Sequence, residues 1–325
     1  MVMLLMQLDS ALPPPPRPNK KRRLIDIVGL SLALVALTVA ALRFVPAFRL
    51  TLLVALGRSP ICPLGMALKA EDMIREHLSR MEGIVRASRV VEKDKNGLHL
   101  WETPKGRFWM PHGNAQLLAS LLVEQEHGIY SLGQKGVRAG DIALDCGAHV
   151  GVYTREALAA GAKLVVAIEP SPVNLAALRR NLAHEIAAGR VIVYEKGVWD
   201  IETVLDFHVD AENSAASSVL LPHENNPHMI KVSLTTIDKL VAELQLERVD
   251  FIKMDIEGAE QKALAGARET LTRFKPRVAA ASYHVPEDQT RIPQLARAAR
   301  PDYAMVCGPC GEKDYRIIPH TLLFH

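Results

Sequence analysis

The chain has 325 residues, 49% of them hydrophobic and 23% charged, with 20 Gly, 20 Pro and only 4 Cys. That length allows about two domains and a large core, and the composition excludes a disordered chain, a collagen-like repeat and a disulfide-stapled mini-domain. A net charge of +3 is too small to argue for a nucleic-acid partner, and none is expected.

The charge is unevenly spread. Residues 1–70 hold nine Lys/Arg against Asp9 and Asp26, so the rest of the chain is net acidic. Residues 1–23 read as a disordered leader: Pro13-Pro14-Pro15-Pro16 and Pro18 make neither helix nor ladder hydrogen bonds, and the basic cluster Lys20-Lys21-Arg22-Arg23 follows. Leu24 to Leu42 contains one ionisable side chain, Asp26, and is long enough to cross a hydrocarbon core of about 30 Å as a helix. Residues 24–65 are therefore expected to form a membrane-associated hydrophobic segment, with the contact made through 24–57. A signal peptide is disfavoured by the lack of a small-x-small cleavage site. The basic cluster favours a cytoplasmic amino terminus, but Arg43, Arg49 and Arg58 nearly balance it. A spanning helix and a surface-lying or re-entrant arrangement both stay open.

Residues 66–135 read as a connector. Met73, Ile74, Leu78 and Met81 recur at helical spacing, and the runs from Gly97 to Glu102 and from Arg107 to Met110 flank Thr103-Pro104-Lys105-Gly106, a hairpin signature. Trp101 and Trp109 suit cross-strand packing better than substrate contact. A further helix is predicted over 114–125.

From residue 136 to 325, apolar runs alternate with helical patterns. Strands are predicted at 142–145, 163–168, 191–194, 203–208, 249–254, 277–283 and 303–307, and helices at 152–160, 172–188, 236–246, 259–273 and 288–299. Such alternation implies an α/β fold, a mostly parallel seven-stranded sheet with helices on both faces. The stretch from Tyr303 to Phe324 reads as strand, turn, strand.

The strongest constellation runs from Asp141 to Gly151. A hydrophobic strand ends in Asp145, the backbone turns through Gly147, and Gly151 opens a helix whose free N–H groups and missing Cβ let a ligand approach. The next strand closes in Glu169-Pro170-Ser171, where an acid can bind both hydroxyls of a ribose. A nicotinamide or flavin enzyme needs G-x-G-x-x-G at this point, and the chain has only Gly147 and Gly151, separated by three residues. Asp145 would repel a pyrophosphate and favours a cationic ligand; S-adenosylmethionine, with its sulfonium and amino groups, fits.

Across most of residues 126–325 the chain resembles the FkbM-type family of methyltransferases. Asp145-Cys-Gly-Ala-His-Val-Gly151 looks like its D-x-G-A-N-x-G cofactor loop, Glu169-Pro170-Ser171-Pro172 like its E-P-x-P turn, and Phe251-Ile-Lys-Met-Asp-Ile-Glu-Gly-Ala-Glu260 like its F-I-K-x-D-x-E-G-A-E hallmark. The resemblance implies a class I methyltransferase (Rossmann-like) fold and methyl transfer from S-adenosylmethionine, usually to a hydroxyl of a sugar, lipid or polyketide-like molecule. It places Asp145, Gly147, Ala148, His149, Gly151, Glu169, Pro170 and Val198 at the cofactor. His149 stands where the family has asparagine, and Ala281-Ser282-Tyr283-His284 lacks the glutamate that often precedes the histidine.

Asp255, Glu257 and His284 fall at the carboxyl ends of neighbouring strands and are the catalytic candidates. Any of them can take the acceptor's proton. Asp255 alternatively holds a divalent cation that acidifies the acceptor, and the alternative for both Asp255 and Glu257 is capping of the 259–273 helix; Glu260 is expected to serve that helix's dipole. Cys307-Gly308-Pro309-Cys310 reads as a tight turn more readily than as a redox or zinc site, and all four cysteines are expected to be reduced thiols. The polar loop Pro222 to His228 is a candidate acceptor-selecting segment. The function expected is membrane-associated O-methyl transfer with the catalytic domain facing the cytoplasm. The alternatives are a non-catalytic membrane-tethered binding protein on the same scaffold and a nicotinamide-dependent oxidoreductase.

Overall fold

The computed structural model describes residues 20–111, 114–210, 213–220 and 229–325; the Pro-rich leader up to residue 19 and the predicted loop 222–228 lie outside them. The chain divides into two compact units, Met1–Arg49 and Leu50–His325.

The first unit is built on α1 (Lys20–Phe44). Its 22 residues Arg23–Phe44 are long and apolar enough to cross a membrane, and side chains such as Leu30, Leu34 and Leu37 are exposed. Two hydroxyls are satisfied inside the helix, Ser31 Oγ donating to the Ile27 carbonyl and Thr38 Oγ1 to that of Leu34, each at 2.8 Å. Internal satisfaction of this kind is what a hydrocarbon surrounding requires.

A second helix, α2 (Pro46–Ala55), follows. Leu50 and Leu53 are buried in one cluster with Cys62, Ala67, Cys310 and Ile317, so the apolar stretch predicted to contact the membrane over 24–57 includes side chains that are protein core. Cys62 is bonded to Cys310 with S–S 2.05 Å, across 248 residues. This corrects the expectation of reduced thiols. The Arg58 carbonyl accepts from the Ile317 amide at 2.9 Å, which lays residues 58–62 along the strand paired with Cys310. Cys310 is therefore not a partner of Cys307, which stays a free thiol.

The connector comprises α3 (Leu64–Ala67), α4 (Ala70–Ala87), and an antiparallel sheet of β1 (Arg89–Lys93), β2 (Leu98–Thr103) and β3 (Gly106–Pro111). The predicted hairpin is β2–β3, and β1 is an added strand. Next comes α5 (Ala115–Glu126), capped by Asn114 Oδ1, which accepts from Leu117 N at 3.0 Å. Trp101 is buried with Phe108, Met110, Leu118 and Leu122, which confirms its packing role.

The main domain runs β4 (Ile142–Cys146), α6 (Val152–Ala159), β5 (Leu164–Ile168), α7 (Pro172–Asn181), α8 (Ala183–Ala187), β6 (Val191–Tyr194), β7 (Gly197–Val198), β8 (Thr203–His208), β9 (Met229–Thr235), α9 (Ile237–Glu243), β10 (Phe251–Met254), α10 (Glu260–Ala265), α11 (Arg268–Phe274), β11 (Arg277–Ala281), α12 (Asp288–Ala299), β12 (Met305–Cys307), β13 (Cys310–Lys313), β14 (Arg316–Pro319) and β15 (Thr321–Phe324). Asn181 docks the connector: its side chain accepts from Trp109 N at 2.6 Å and donates to the Trp109 and Val150 carbonyls at 2.9 Å.

Seven strands form one sheet in the order β12-β15-β11-β10-β4-β5-β6, with β15 antiparallel to both neighbours. The sheet is thus mixed, and its order is that of a class I methyltransferase-like α/β fold. Side chains alternate between its faces. Leu144, Val166, Ile252 and Val278 pack under α9 to α12, while Ala143, Val165, Phe251 and Ala279 pack under α6 and α7.

Three expectations are corrected. The strand at 203–208 belongs to a separate sheet, β7-β9-β8, and β15 takes the seventh place. The helix predicted over 259–273 breaks at Gly266, where a Cβ would lie 2.1 Å from the Trp199 carbonyl oxygen; close approach of another backbone ends α10 there. The 172–188 helix likewise divides at Leu182.

Candidate active site

The sheet's carboxyl edge opens into two clefts that share a wall. The first, about 580 Å³, is bounded by Gly147 and His149 after β4, Glu169 and Pro170 after β5, and the apolar side chains Val198, Phe207 and Leu234. The second, about 460 Å³, lies between α5 and the same loop, with Glu124, Tyr130, Ala148, Tyr153 and Lys253 on its surface. Gly147, His149, Asp255 and Glu257 face both.

Gly147 makes the shared wall possible. Its φ is +80°, and a Cβ there would stand 2.0 Å from the Asp255 carbonyl oxygen, so only glycine lets the loop after β4 cross the loop after β10. His149 also has positive φ, at 50°. Its amide donates to Glu169 Oε2 at 2.9 Å, and its Nε2 lies 2.8 Å from Ser214 Oγ. Burial drives the imidazole down to about 3, so it is neutral. Glu169 Oε1 accepts from Ser171 N at 2.8 Å and from Asn174 Nδ2 at 3.3 Å. Burial lifts this carboxyl to about 7 despite those donors. Two carboxylate oxygens have about four acceptor positions and three are taken, so one remains, on Oε2, for a ligand's hydroxyl.

Beneath the wall lies a buried ion pair. Lys253 Nζ is 3.2 Å from Asp145 Oδ1, with the two side chains 5% and 0% exposed. The ammonium also donates to the Gly147 carbonyl at 2.8 Å, and Thr154 Oγ1 donates to Asp145 Oδ2 at 2.6 Å. Burial opposes the Lys253 charge, but Asp145 and Asp255 outweigh it and hold its pKa above the usual value.

Asp255 Oδ2 accepts from Tyr130 Oη at 2.6 Å. Burial opposes its charge too, yet Lys253, His284 and Tyr130 together keep its pKa low. His284 Nε2 faces Asp255 Oδ1 at 3.6 Å and Glu257 Oε1 at 3.4 Å, and its Nδ1 sits 3.0 Å from Glu260 Oε1. Burial would lower the His284 pKa, but the surrounding carboxylates lift it to about 11. In this arrangement it is a cation and not a proton acceptor. Glu257, with φ 53°, has its pKa raised by burial and by the nearby acids.

Of the predicted site residues, Gly147, Ala148, His149, Glu169, Pro170, Val198, Asp255 and Glu257 line the clefts. Asp145 does not; it lies beneath the wall as the partner of Lys253. Nor does Gly151, which begins α6 with φ 87° and packs against Leu182. His284 is brought to Asp255 and Glu257 behind the cleft wall. Asp255 caps no helix; Glu260 stands in the first turn of α10, as its expected dipole role requires, and also turns inward to accept from Ile256 N at 2.9 Å and to hold His284. Lys253, Tyr130 and Glu124 were not singled out from sequence. Lys253 had a signal, being the only charge in an apolar strand. Tyr130 and Glu124 had none, since their place depends on how the connector docks.

Comparison with known proteins bears directly on this arrangement. Residues 145–303 match the methyltransferase FkbM domain model. The chain carries an FkbM-type methyltransferase domain. The domain is 28% identical over 160 residues to the 31-O-demethyl-FK506 methyltransferase FkbM of Streptomyces tacrolimicus, covering 41% of this chain and 62% of that protein. It is 29% identical over 149 residues to the 2-O-methyltransferase NoeI of Sinorhizobium fredii (strain NBRC 101917 / NGR234), covering 41% and 60%. The match thus spans about three-fifths of the length of these curated relatives. Among solved structures, a methyltransferase FkbM from Methylobacillus flagellatus KT aligns at TM-score 0.47 and 20% identity, over 79% of this chain and 60% of that one.

In the FkbM-type domain, removing one member of the buried ion pair strands the other's charge. Lys253→Met is expected to cost about 3–5 kcal/mol in denaturant unfolding. Adding Asp145→Asn is expected to recover part of that loss, the signature of a coupled pair.

Proposed function

We propose that the domain transfers a methyl group from S-adenosylmethionine to a hydroxyl oxygen of a sugar, lipid or secondary metabolite. The observation that carries this reading is Glu169: a buried carboxylate at the end of β5, with acceptor capacity to spare, beside a slot lined by Val198, Phe207 and Leu234. A ribose diol at Glu169 and an adenine in the slot suit those groups. The amino-acid end then falls where the clefts meet, its ammonium suited to Asp255 and Glu124.

When bound, S-adenosylmethionine supplies an electrophilic methyl carbon on a sulfonium. The chain's own work is to align the acceptor oxygen with that carbon and to take its proton. Glu257 is the group placed for the second task, since it faces both clefts and has a carboxylate oxygen not turned to His284. The names of both curated relatives describe methylation at oxygen, which supports a hydroxyl acceptor. A binding-only scaffold has no use for the acid cluster behind the cleft, and the turn after β4 lacks the glycines of a nicotinamide enzyme.

Calorimetric titration with S-adenosylmethionine, S-adenosylhomocysteine and NADH tests this. The first two are expected to bind and NADH is not. Glu169→Gln is expected to weaken binding about tenfold to a hundredfold, the worth of charged hydrogen bonds to the ribose. NADH binding, or full affinity in the variant, contradicts the assignment.

We also infer that α1 anchors the chain to a membrane, which raises the chance that a lipid-linked or amphiphilic acceptor meets the clefts. The full chain is expected to sediment with membranes through an alkaline carbonate wash. Leu30→Glu with Leu37→Glu is expected to release it.

A further inference from the structure

Asp255 and Glu257 lie in the loop after β10, and His284 lies just past β11. Their ligand atoms are all within 4.8 Å of one another. Two observations separate this group from an ordinary acidic cluster. First, the His284 side chain is only 4% exposed, and its Nε2 and Asp255 Oδ1 make no hydrogen bond, although they face each other at 3.6 Å and Glu257 Oε1 stands 3.4 Å from Nε2. Leaving buried polar atoms unpaired is costly. Second, His284 Nδ1 is tied to Glu260 Oε1 at 3.0 Å, and that same oxygen accepts from Ile256 N at 2.9 Å. This bond keeps a proton on Nδ1 and aims Nε2 at two carboxylates, the way a carboxylate behind a histidine orients it toward a metal.

We infer that Asp255, Glu257 and His284 form a divalent-cation site, with Glu260 as the positioning residue behind His284. Ligand bonds of about 2.0–2.2 Å put neighbouring donors about 3.0–3.5 Å apart. The separations of 3.4 and 3.6 Å from His284 Nε2 are close to that before any ion draws the ligands in. Two carboxylates and one imidazole suit manganese, magnesium or zinc. The ion takes the place of a proton on Nε2 and offsets the excess of acids, since among the described residues Asp145, Asp255, Glu257 and Glu260 are paired with the cations Lys253 and His284. What the ion does rests on the methyl-transfer reading: an open coordination position would bind the acceptor oxygen and ease loss of its proton. Whether it binds does not rest on that reading.

The full chain, solubilised and freed of metal by chelator, is titrated with manganese(II) and followed by loss of the free-ion electron paramagnetic resonance signal. One site per chain is expected. Affinity is expected to fall at least tenfold in His284→Ala and Glu257→Gln, and about 10–100-fold in Glu260→Gln. Glu257→Gln is isosteric and partly exposed, so it keeps the test sound if His284→Ala fails a thermal-unfolding check. A folded chain without a stoichiometric site, or a site that Glu257→Gln leaves at full affinity, overturns the inference. S-adenosylhomocysteine titration of the same metal-free sample separates the two readings. Donor binding without manganese binding sinks the ion site alone, and manganese binding without donor binding sinks the methyl-transfer reading alone.

Discussion

Lys253 stands inside an apolar strand, and its nearly buried ammonium has to be neutralised there. Asp145, on the adjacent parallel strand, answers it at 3.2 Å, and the Gly147 carbonyl accepts a hydrogen bond from it at 2.8 Å. A pair this buried contributes little net stability, but breaking it is expensive, so it pins whatever it touches. It touches the two loops that make the shared wall of both clefts. With the ends of β4 and β10 locked together, Gly147 can lie against the Asp255 carbonyl, and Asp255 is delivered to the junction.

The rest of the site is charge arranged around that lock. On one side a neutral His149 and the amides of residues 149 and 171 surround Glu169. On the other, Tyr130 and His284 steady Asp255, with Glu260 behind the histidine. The connector is part of this design, because Tyr130 follows α5 and the whole subdomain is held to α7 by Asn181. The chemistry therefore draws on residues from Glu124 to His284, a longer stretch than the 145–303 match alone at its amino-terminal side.

Much of the fold was legible because a sheet covered on both faces leaves continuous apolar runs bounded by turns. The runs ending at Cys146, Ile168 and Tyr194 became β4, β5 and β6 within a residue of where they were expected. What was not legible came from long-range packing. Nothing local tells Gly266 that the Trp199 carbonyl will press on it, or tells Cys62 that its partner is 248 residues away. β9 carries Lys231 and Ser233 between its apolar residues, a pattern that passes for a solvated connector. In the site, the glycine turn and the acid after β5 could be read from local sequence. The retreat of Asp145 beneath the wall could not, because it depends on which neighbouring strand supplies a cation.

The central claim is that one ligand spans the two clefts, with its sugar at Glu169 and its charged end at the wall. A crystal structure of the chain with S-adenosylhomocysteine tests this most directly. Density is expected with the ribose hydroxyls on Glu169, the adenine between Val198 and Phe207, and the amino group toward Asp255. Ligand density that leaves Glu169 untouched, or that lies outside the clefts flanking Gly147, would contradict it.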